Sequence, residues 1–261
     1  MSQQIKLYYD VMSPYSYIGF EVLHQYKQKW NFHLQLCPFV LPRVRELSGN
    51  HSQNVPLKAQ YVGQDVARLA EYYCIPLNPP PPSKLAEALF VKGTLRAQLL
   101  LTAANLEYPD SVEAISRKLF MRLWAKDEDI TEDASLIQAC VKAGIVKEEA
   151  RKLLARSKDQ NVKEKLEATT QEAFGFGAFG APFMVVMKDK PEVFWGQDRI
   201  ELMGHTLGLK WEGPLVIKTN HNSSSQSVDK SRDSTVFTSL TKWMILLVPI
   251  IILIVLQWLN Y

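Results

Sequence analysis

The first 40 residues alternate between short apolar runs and turn signals in the order strand, helix, strand. Residues 5–9 form a β-branched and aromatic run that predicts a buried strand, and residues 32–37 predict a second strand that ends at a proline. Between them, Ser13 fits a helix N-cap and Pro14 fits the first helical position, where a missing N–H costs nothing. A helix N-terminus is therefore expected directly after the first strand.

The middle of the chain has helical rather than strand periodicity. From about residue 59 to residue 173 helix-forming residues dominate, and proline, glycine and capping signals divide them into five or six predicted helices. Residues 183–187 and 192–195 then predict a strand hairpin, and a last helix follows near residues 198–207. Strands at both ends with helices between them predict an α/β domain, residues 1–55 and 175–217, interrupted by an all-helical insertion, residues 56–174.

The last part of the chain has a different composition. Residues 218–242 are polar and Ser-rich, which is typical of a flexible linker. Residues 243–259, from Trp243 to Leu259, are nearly all apolar and would rise about 26 Å as a helix, against a hydrocarbon core of about 30 Å. We expect a C-terminal transmembrane helix, a single-pass tail anchor that leaves the catalytic body in the cytosol. A buried core helix is the alternative reading, and the sequence does not distinguish the endoplasmic reticulum from the mitochondrial or peroxisomal membrane.

Charge and cysteine content exclude several classes of function. The formal net charge is +3, and the cations are spread along the chain, so nucleic-acid binding is not indicated. Cys37, Cys74 and Cys140 are far apart, odd in number and without metal-ligand spacing, so neither a disulfide framework nor a metal site is expected. Such thiols are typical of a reducing compartment.

The segment Ser13-Pro14-Tyr15-Ser16 is the candidate site for chemistry. A hydroxyl at a helix N-terminus lies among unsatisfied backbone N–H groups at the positive end of the helix dipole, where an anionic ligand group is stabilised. A thiolate is one such group, because helix N-termini lower thiol pKa values. The alternative is that Ser13 only caps the helix.

Three further segments support a ligand site by occurring together. Ala181-Pro182 precedes a predicted strand, and a cis proline there would expose the Ala181 backbone. Gln197 and Asp198 open the last predicted helix, and Asn50 lies in a predicted loop. Each has a purely structural alternative: a turn proline, an N-cap aspartate and a turn asparagine.

Several segments together resemble the kappa-class glutathione transferases across residues 5–214. They are YYDVMSPYSYIGFEVL, the SGN loop, the segment from Glu128 to Glu132, AFGAP and WGQDRIEL. The resemblance implies a thioredoxin-like glutathione-binding domain with a helical insertion, glutathione as co-substrate, a homodimer, and residence in mitochondria or peroxisomes. Related disulfide oxidoreductases carry CxxC where Ser13 and Ser16 stand, so dithiol chemistry is excluded here.

The resemblance also implies roles for residues at the thiol end of glutathione. Ser13 would donate a hydrogen bond to the thiolate, and Pro14 and Tyr15 would line the same end of the ligand. Ala181, before Pro182, would pair with the cysteinyl main chain as an added strand.

The remaining roles lie farther from the sulfur. Asn50 would bind the ligand backbone, and Gln197 and Asp198 would hold the γ-glutamyl end, with Asp198 meeting its ammonium group. The chain departs from the usual family pattern at Tyr17, Ala181 and Gln197, and the last departure puts one glutathione hydrogen bond in question.

The function implied is that of a glutathione transferase. Ser13 would stabilise the thiolate for conjugation to small apolar electrophiles or for reduction of lipid hydroperoxides. One alternative is a glutathione-dependent isomerase of the hydroxychromene-carboxylate type, and another is a membrane-tethered glutathione-binding scaffold without turnover.

Overall fold

A four-stranded mixed sheet forms the centre of the fold in the computed structural model, which describes residues 3–51 and 55–215. The strands are β1 (Gln3–Tyr9), β2 (Phe32–Pro38), β3 (Phe183–Met187) and β4 (Glu192–Trp195). Their order is β2-β1-β3-β4, in which β1 is parallel to β2 and antiparallel to β3, and β3 is antiparallel to β4. The parallel pair requires a crossover connection, which the first helix supplies.

Most of the other described residues are helical. Ten α-helices lie within the described residues: α1 (Pro14–Lys27), α2 (Leu41–Ser48), α3 (Pro56–Tyr73), α4 (Pro82–Ala86), α5 (Leu95–Glu107), α6 (Val112–Ala125), α7 (Asp133–Lys142), α8 (Lys147–Arg156), α9 (Gln160–Gly175) and α10 (Ile200–Thr206). A π-helical segment, Glu87–Lys92, follows α4 directly. The sequence pattern predicted α1 and the strands at nearly these bounds, but it did not predict α2.

Strand β1 is buried on both faces of the sheet. Ile5 and Leu7 belong to the larger apolar cluster, which also contains α1 and the helical insertion, whereas Tyr8 belongs to a smaller cluster with Phe39 and Phe183. This division follows the two-residue repeat of a strand, which sends successive side chains to opposite faces. The end of β1 is thereby held in place from both sides.

Side chains of the helical insertion bond to the chain where β1 and β2 end. Gln98 of α5 donates from Nε2 to the backbone oxygens of Tyr9 and Phe39, both at 2.8 Å, and Trp124 of α6 donates to the oxygen of Val11 at 2.8 Å. All of these groups are buried, where an unpaired carbonyl would be costly. The insertion therefore fixes the backbone that leads into α1.

The expected transmembrane helix requires a correction. Within residues 3–51 and 55–215 no helix is long and apolar enough to cross a membrane. The longest described helix, α3, has 18 residues and carries four charged side chains. The segment from Trp243 to Leu259, on which the expectation was based, lies outside the described residues. We therefore correct the fold class to mixed α/β, thioredoxin-like with a helical insertion, and we withdraw the C-terminal transmembrane helix.

The membrane localisation is corrected with it. A single-pass anchor, with the catalytic body held at a membrane in the cytosol, was expected solely from that helix. None of the described helices could serve as such an anchor.

The packing of the chain separates Met1–Val216 from Ile217–Tyr261. The finer division into an α/β domain (residues 1–55 and 175–217) and a helical insertion (residues 56–174) stays a prediction. The predicted linker, residues 218–242, lies outside the described residues.

Candidate functional site

Ser13 lies at the start of α1, directly beyond the end of β1. Its backbone is extended (φ −97°, ψ 117°), and its Oγ accepts a hydrogen bond from the N–H of Ser16 at 3.1 Å. Pro14 occupies the first helical turn. Ser13 is therefore the N-cap that the sequence predicts, and its hydroxyl lies at the positive end of the α1 dipole.

The loop before β3 meets α1 at this point. The peptide bond between Ala181 and Pro182 is cis, and the Ser13 hydroxyl donates to the backbone oxygen of Ala181 at 3.3 Å. Gly19 permits the close approach, because a Cβ there would lie 3.2 Å from Cγ of Pro182 and 3.5 Å from Cβ of Gln197. The fold thus brings Ser13, Ala181, Pro182 and Gln197 together.

Gln197 and Asp198 begin a short 3₁₀ turn after β4. Gly196 precedes them with φ 100°, and its N–H donates to the backbone oxygen of Pro182 at 3.0 Å. Gln197 is buried, whereas Asp198 is exposed and lies 3.5 Å from the guanidinium of Arg199. The amide therefore lies on the inner side of this turn and the carboxylate on the outer side.

Asn50 follows the C-terminus of α2. Gly49 ends that helix in the left-handed conformation (φ 68°), which glycine adopts without steric cost. The side chain of Asn50 then donates from Nδ2 to the backbone oxygen of Phe179 at 2.7 Å. Asn50 therefore contacts the cis-proline loop at Phe179, which lies two residues before Ala181.

Tyr15 connects the candidate site to the helical insertion. Its hydroxyl donates to Oδ2 of Asp65 in α3 at 2.8 Å. Burial and the neighbouring Asp65 carboxylate raise the pKa of the Tyr15 hydroxyl. Tyr15 is therefore a neutral hydrogen-bond donor at physiological pH. Asp65 was not predictable from the sequence, because a contact between residues 50 positions apart leaves no local pattern.

Asp10 is a buried carboxylate near the site that was not among the residues predicted from the sequence. Its oxygens accept hydrogen bonds from the N–H of Met12, the N–H of Leu41 and the hydroxyl of Thr94, at 3.0, 3.0 and 2.7 Å. Burial raises the pKa of this carboxyl, and these bonds and the Arg45 charge offset part of the increase. The sequence feature that could have identified Asp10 is its position directly after an apolar strand.

The N-terminus of α1 is suited to an anion. The first turn of α1, whose residues are all described, carries no acidic side chain that would repel one. Ser16 is fully buried, and its hydroxyl has no hydrogen-bond partner within the described residues. No cluster of His, Cys, Asp or Glu within residues 3–51 and 55–215 is arranged to hold a metal ion.

Known proteins match this chain across the same region. A family model for the DSBA-like thioredoxin domain matches residues 4–208. Glutathione S-transferase kappa 1 from Homo sapiens is 40% identical over 222 residues, which cover 84% of this chain and 97% of that protein. The 2-hydroxychromene-2-carboxylate isomerase of Sphingobium xenophagum is 26% identical, over 78% of this chain and 97% of that protein.

A solved 2-hydroxychromene-2-carboxylate isomerase has the same fold. Its TM-score is 0.65 at 21% identity, and the alignment covers 78% of this chain and 94% of that structure. At this identity the solved structure shows only a shared fold. The human relative, which is 40% identical and matched over nearly its whole length, shows the family. The chain belongs to the DSBA-like thioredoxin family and, within it, to the kappa-class glutathione transferases.

Proposed function

We propose that the chain binds glutathione with its sulfur at the N-terminus of α1, and that Ser13 stabilises the thiolate. The observation that carries this proposal is the position of the Ser13 hydroxyl, which caps α1 and lies 3.3 Å from the backbone oxygen of Ala181. A sulfur bound beside the hydroxyl would replace the weak bond to that carbonyl with a charge-assisted one. The hydroxyl would then donate to the thiolate.

Two effects would lower the pKa of the bound thiol. A free thiol has a pKa of about 8.5, and a helix N-terminus lowers it by stabilising the anion. A hydrogen bond to a charged group contributes about 1.5–3 kcal/mol, which corresponds to roughly one to two pKa units. Together they would make the thiolate the main form of bound glutathione at neutral pH.

The remaining polar groups have proposed roles along the tripeptide. Ala181 would pair through its backbone with the cysteinyl residue, beside Pro182, and Asn50 would bind the ligand backbone. Gln197 and Asp198 would hold the γ-glutamyl end. Asp198 is exposed and so can meet an ammonium group, whereas Gln197 is buried and would need to turn its amide toward the ligand.

The reaction would be a nucleophilic attack by the thiolate. Its sulfur forms a bond to an electrophilic carbon while the leaving group departs with the electron pair of the bond that breaks. The thiol proton passes to solvent on binding, and Pro14 and Tyr15 line the sulfur end of the site. Small apolar electrophiles are the proposed acceptors. Lipid hydroperoxides are a second class: the thiolate would attack the terminal peroxide oxygen and release the lipid alcohol, and a second glutathione would convert the resulting sulfenic acid to glutathione disulfide and water.

Substitution of Ser13 tests the proposal. Conjugation of glutathione to a chloronitrobenzene is measured for Ser13→Ala and Ser13→Gly, with Ser157→Ala as a matched buried serine distant in sequence. Alanine removes both the cap and the hydroxyl, whereas glycine retains most of the capping stability. We expect kcat/KM to fall about 10- to 100-fold in both Ser13 variants. Equal rates in the wild type and both variants would refute the role of Ser13.

The similarity to an isomerase supports a second candidate reaction. In glutathione-dependent isomerisation the thiolate adds to the substrate and leaves again, so glutathione is not consumed. Stoichiometric loss of glutathione with a hydroxychromene carboxylate or with the chloronitrobenzene separates the two reactions. Tight glutathione binding without turnover of either compound would favour a binding protein.

A further inference from the structure

Two half-exposed aromatic side chains pack against each other beside the proposed glutathione site. The rings of Phe179 and Trp195 have centroids 4.6 Å apart, and their planes are inclined by 52°. Their exposed fractions are 39% and 45%, so neither contributes mainly to the core. Phe179 precedes Ala181 by two residues, and Trp195 precedes Gln197 by two residues. The pair therefore joins two segments that the proposed function places against the ligand.

The Trp195 indole lies directly on the backbone of the cis-proline loop. A Cβ on Gly180 would lie 2.5 Å from Nε1 of Trp195 and 3.1 Å from its Cε2. Only a glycine fits at such a distance without a shift of the indole or of the loop. The indole is thus packed closely against the backbone of the loop that contains Ala181.

A third segment is connected to the same pair. Asn50 donates from Nδ2 to the backbone oxygen of Phe179 at 2.7 Å, and Gly196 donates to the backbone oxygen of Pro182 at 3.0 Å. The loop after α2, the cis-proline loop and the turn after β4 therefore meet around Phe179 and Trp195. Each of these segments carries a proposed glutathione contact.

We propose that Phe179 and Trp195 are positioning residues for glutathione binding. They hold Asn50, Ala181 and Gln197 at the spacing that the tripeptide requires, without contacting the reacting sulfur. This inference rests on the proposed function, because the spacing matters only if these three residues bind one ligand. The competing explanation is that the pair is an ordinary exposed aromatic contact with no effect on binding.

Val193 provides a matched control. It lies two residues before Trp195 on β4, so it projects from the same face of the strand, and it is exposed to the same extent (46%). Phe183 pairs with Trp195 and Val185 pairs with Val193 in the ladder. A substitution at Val193 therefore alters β4 to a similar degree without touching the Phe179 contact.

The first experiment measures the glutathione Kd by calorimetry and kcat at saturating glutathione for Trp195→Ala, Trp195→Phe and Val193→Ala. We expect Trp195→Ala to raise Kd about fivefold, with kcat within about twofold of wild type, because Ser13 is unchanged. Trp195→Phe should restore most of the affinity, and Val193→Ala should match wild type. Equal Kd values for Trp195→Ala and Val193→Ala would overturn the inference. A Trp195→Ala variant whose kcat and denaturant midpoint also fall would overturn it too, because that result indicates a purely structural role.

A double-mutant cycle tests the Gly180 contact. Gly180→Ala alone should raise Kd about as much as Trp195→Ala does, because the new methyl group displaces the indole. In the Trp195→Ala background the same substitution should have little further effect, since the atoms that it would clash with are gone. Strictly additive effects would contradict the inference.

Ser13→Ala separates this inference from the proposed function. If Ser13→Ala leaves both kcat and the bound thiol pKa unchanged while Trp195→Ala still raises Kd, the Ser13 role fails and the positioning role stands. If Ser13→Ala lowers kcat while Trp195→Ala leaves Kd unchanged, the reverse holds. A wild-type chain that does not bind glutathione would refute both.

Discussion

The carboxylate of Asp10 accepts a 2.7 Å hydrogen bond from the hydroxyl of Thr94, which joins the end of β1 to the start of α5. Both side chains are buried, and Asp10 lies three residues before Ser13. The backbone oxygen of Asp10 also accepts a hydrogen bond from the N–H of Ser13 at 3.0 Å. The position of Ser13 therefore depends on a contact between residues 84 positions apart.

Replacing Thr94 with valine tests the strength of this contact. The substitution keeps the shape but removes one of three donors to a buried carboxylate, so we expect a loss of roughly 1–3 kcal/mol in the free energy of unfolding. Urea denaturation measures it, with Thr206→Val as the control, because that exposed hydroxyl bonds to the backbone of its own helix. The control should stay within about 0.5 kcal/mol of wild type. A Thr94→Val variant as stable as the control would show that the contact contributes little.

Asp10 should also give the protein a defined pH dependence. Burial raises the pKa of this carboxyl above its ordinary 3.8, so the folded state favours the protonated form more than the unfolded chain does. Its favourable contribution to stability is complete below about pH 4 and is lost as the pH rises through the folded pKa. The free energy of unfolding of wild type minus that of Asp10→Asn should therefore decline as the pH rises and then level off. A difference that grows with pH would mean that the hydrogen bonds to Asp10 outweigh its burial.

Glu113 should show the opposite dependence. A hydrogen bond with His24 at 3.2 Å and one from Arg117 at 3.0 Å hold the pKa of the Glu113 carboxyl at about 2, below its ordinary 4.5. Its contribution is present above about pH 4.5 and is lost as the pH falls toward 2. The free energies of unfolding of wild type and Glu113→Gln should differ by roughly 1 kcal/mol or less at pH 6, because Glu113 is partly exposed. The two values should converge as the pH falls from 6 toward 2. Curves that stay parallel would contradict this assignment.

The three cysteines should differ sharply in reactivity. Burial raises the pKa of both the Cys37 and the Cys140 thiol to about 12, whereas Cys74 is exposed at the end of α3. Because the thiolate is the reactive form, a thiol reagent should modify one cysteine in the folded protein and three after unfolding. Cys74→Ser should abolish the reaction of the folded protein. Rapid modification of a second thiol would show that a buried cysteine is accessible.

Local features of the fold were predictable from sequence. The strands follow from short β-branched and aromatic runs, and the N-cap at Ser13 and the first-turn Pro14 follow from helix-start chemistry. Both signals depend only on neighbouring residues. Helix α2 was missed because its eight residues contain a proline and only two buried positions. The membrane-spanning prediction for residues 243–259 was corrected, because no helix among the described residues is long and apolar enough to cross a membrane.

The contacts that complete the site were not predictable from local patterns. Tyr15 with Asp65, and Phe179 with Trp195, are brought together only by the packing of distant segments. The sequence did identify residues that the fold brings together, among them Ser13, Ala181 and Gln197, but only through their joint occurrence and a family resemblance. Their roles toward glutathione stay proposals.

The pKa of the bound glutathione thiol tests the central claim most directly. The ultraviolet absorbance of the thiolate is titrated against pH for glutathione bound to the wild type and to Ser13→Ala. We predict a pKa of about 6–7 in the wild type, below the value of about 8.5 for a free thiol, and a rise of about one to two units in the variant. Identical titration curves for the two proteins would contradict the account, because Ser13 would then not stabilise the thiolate.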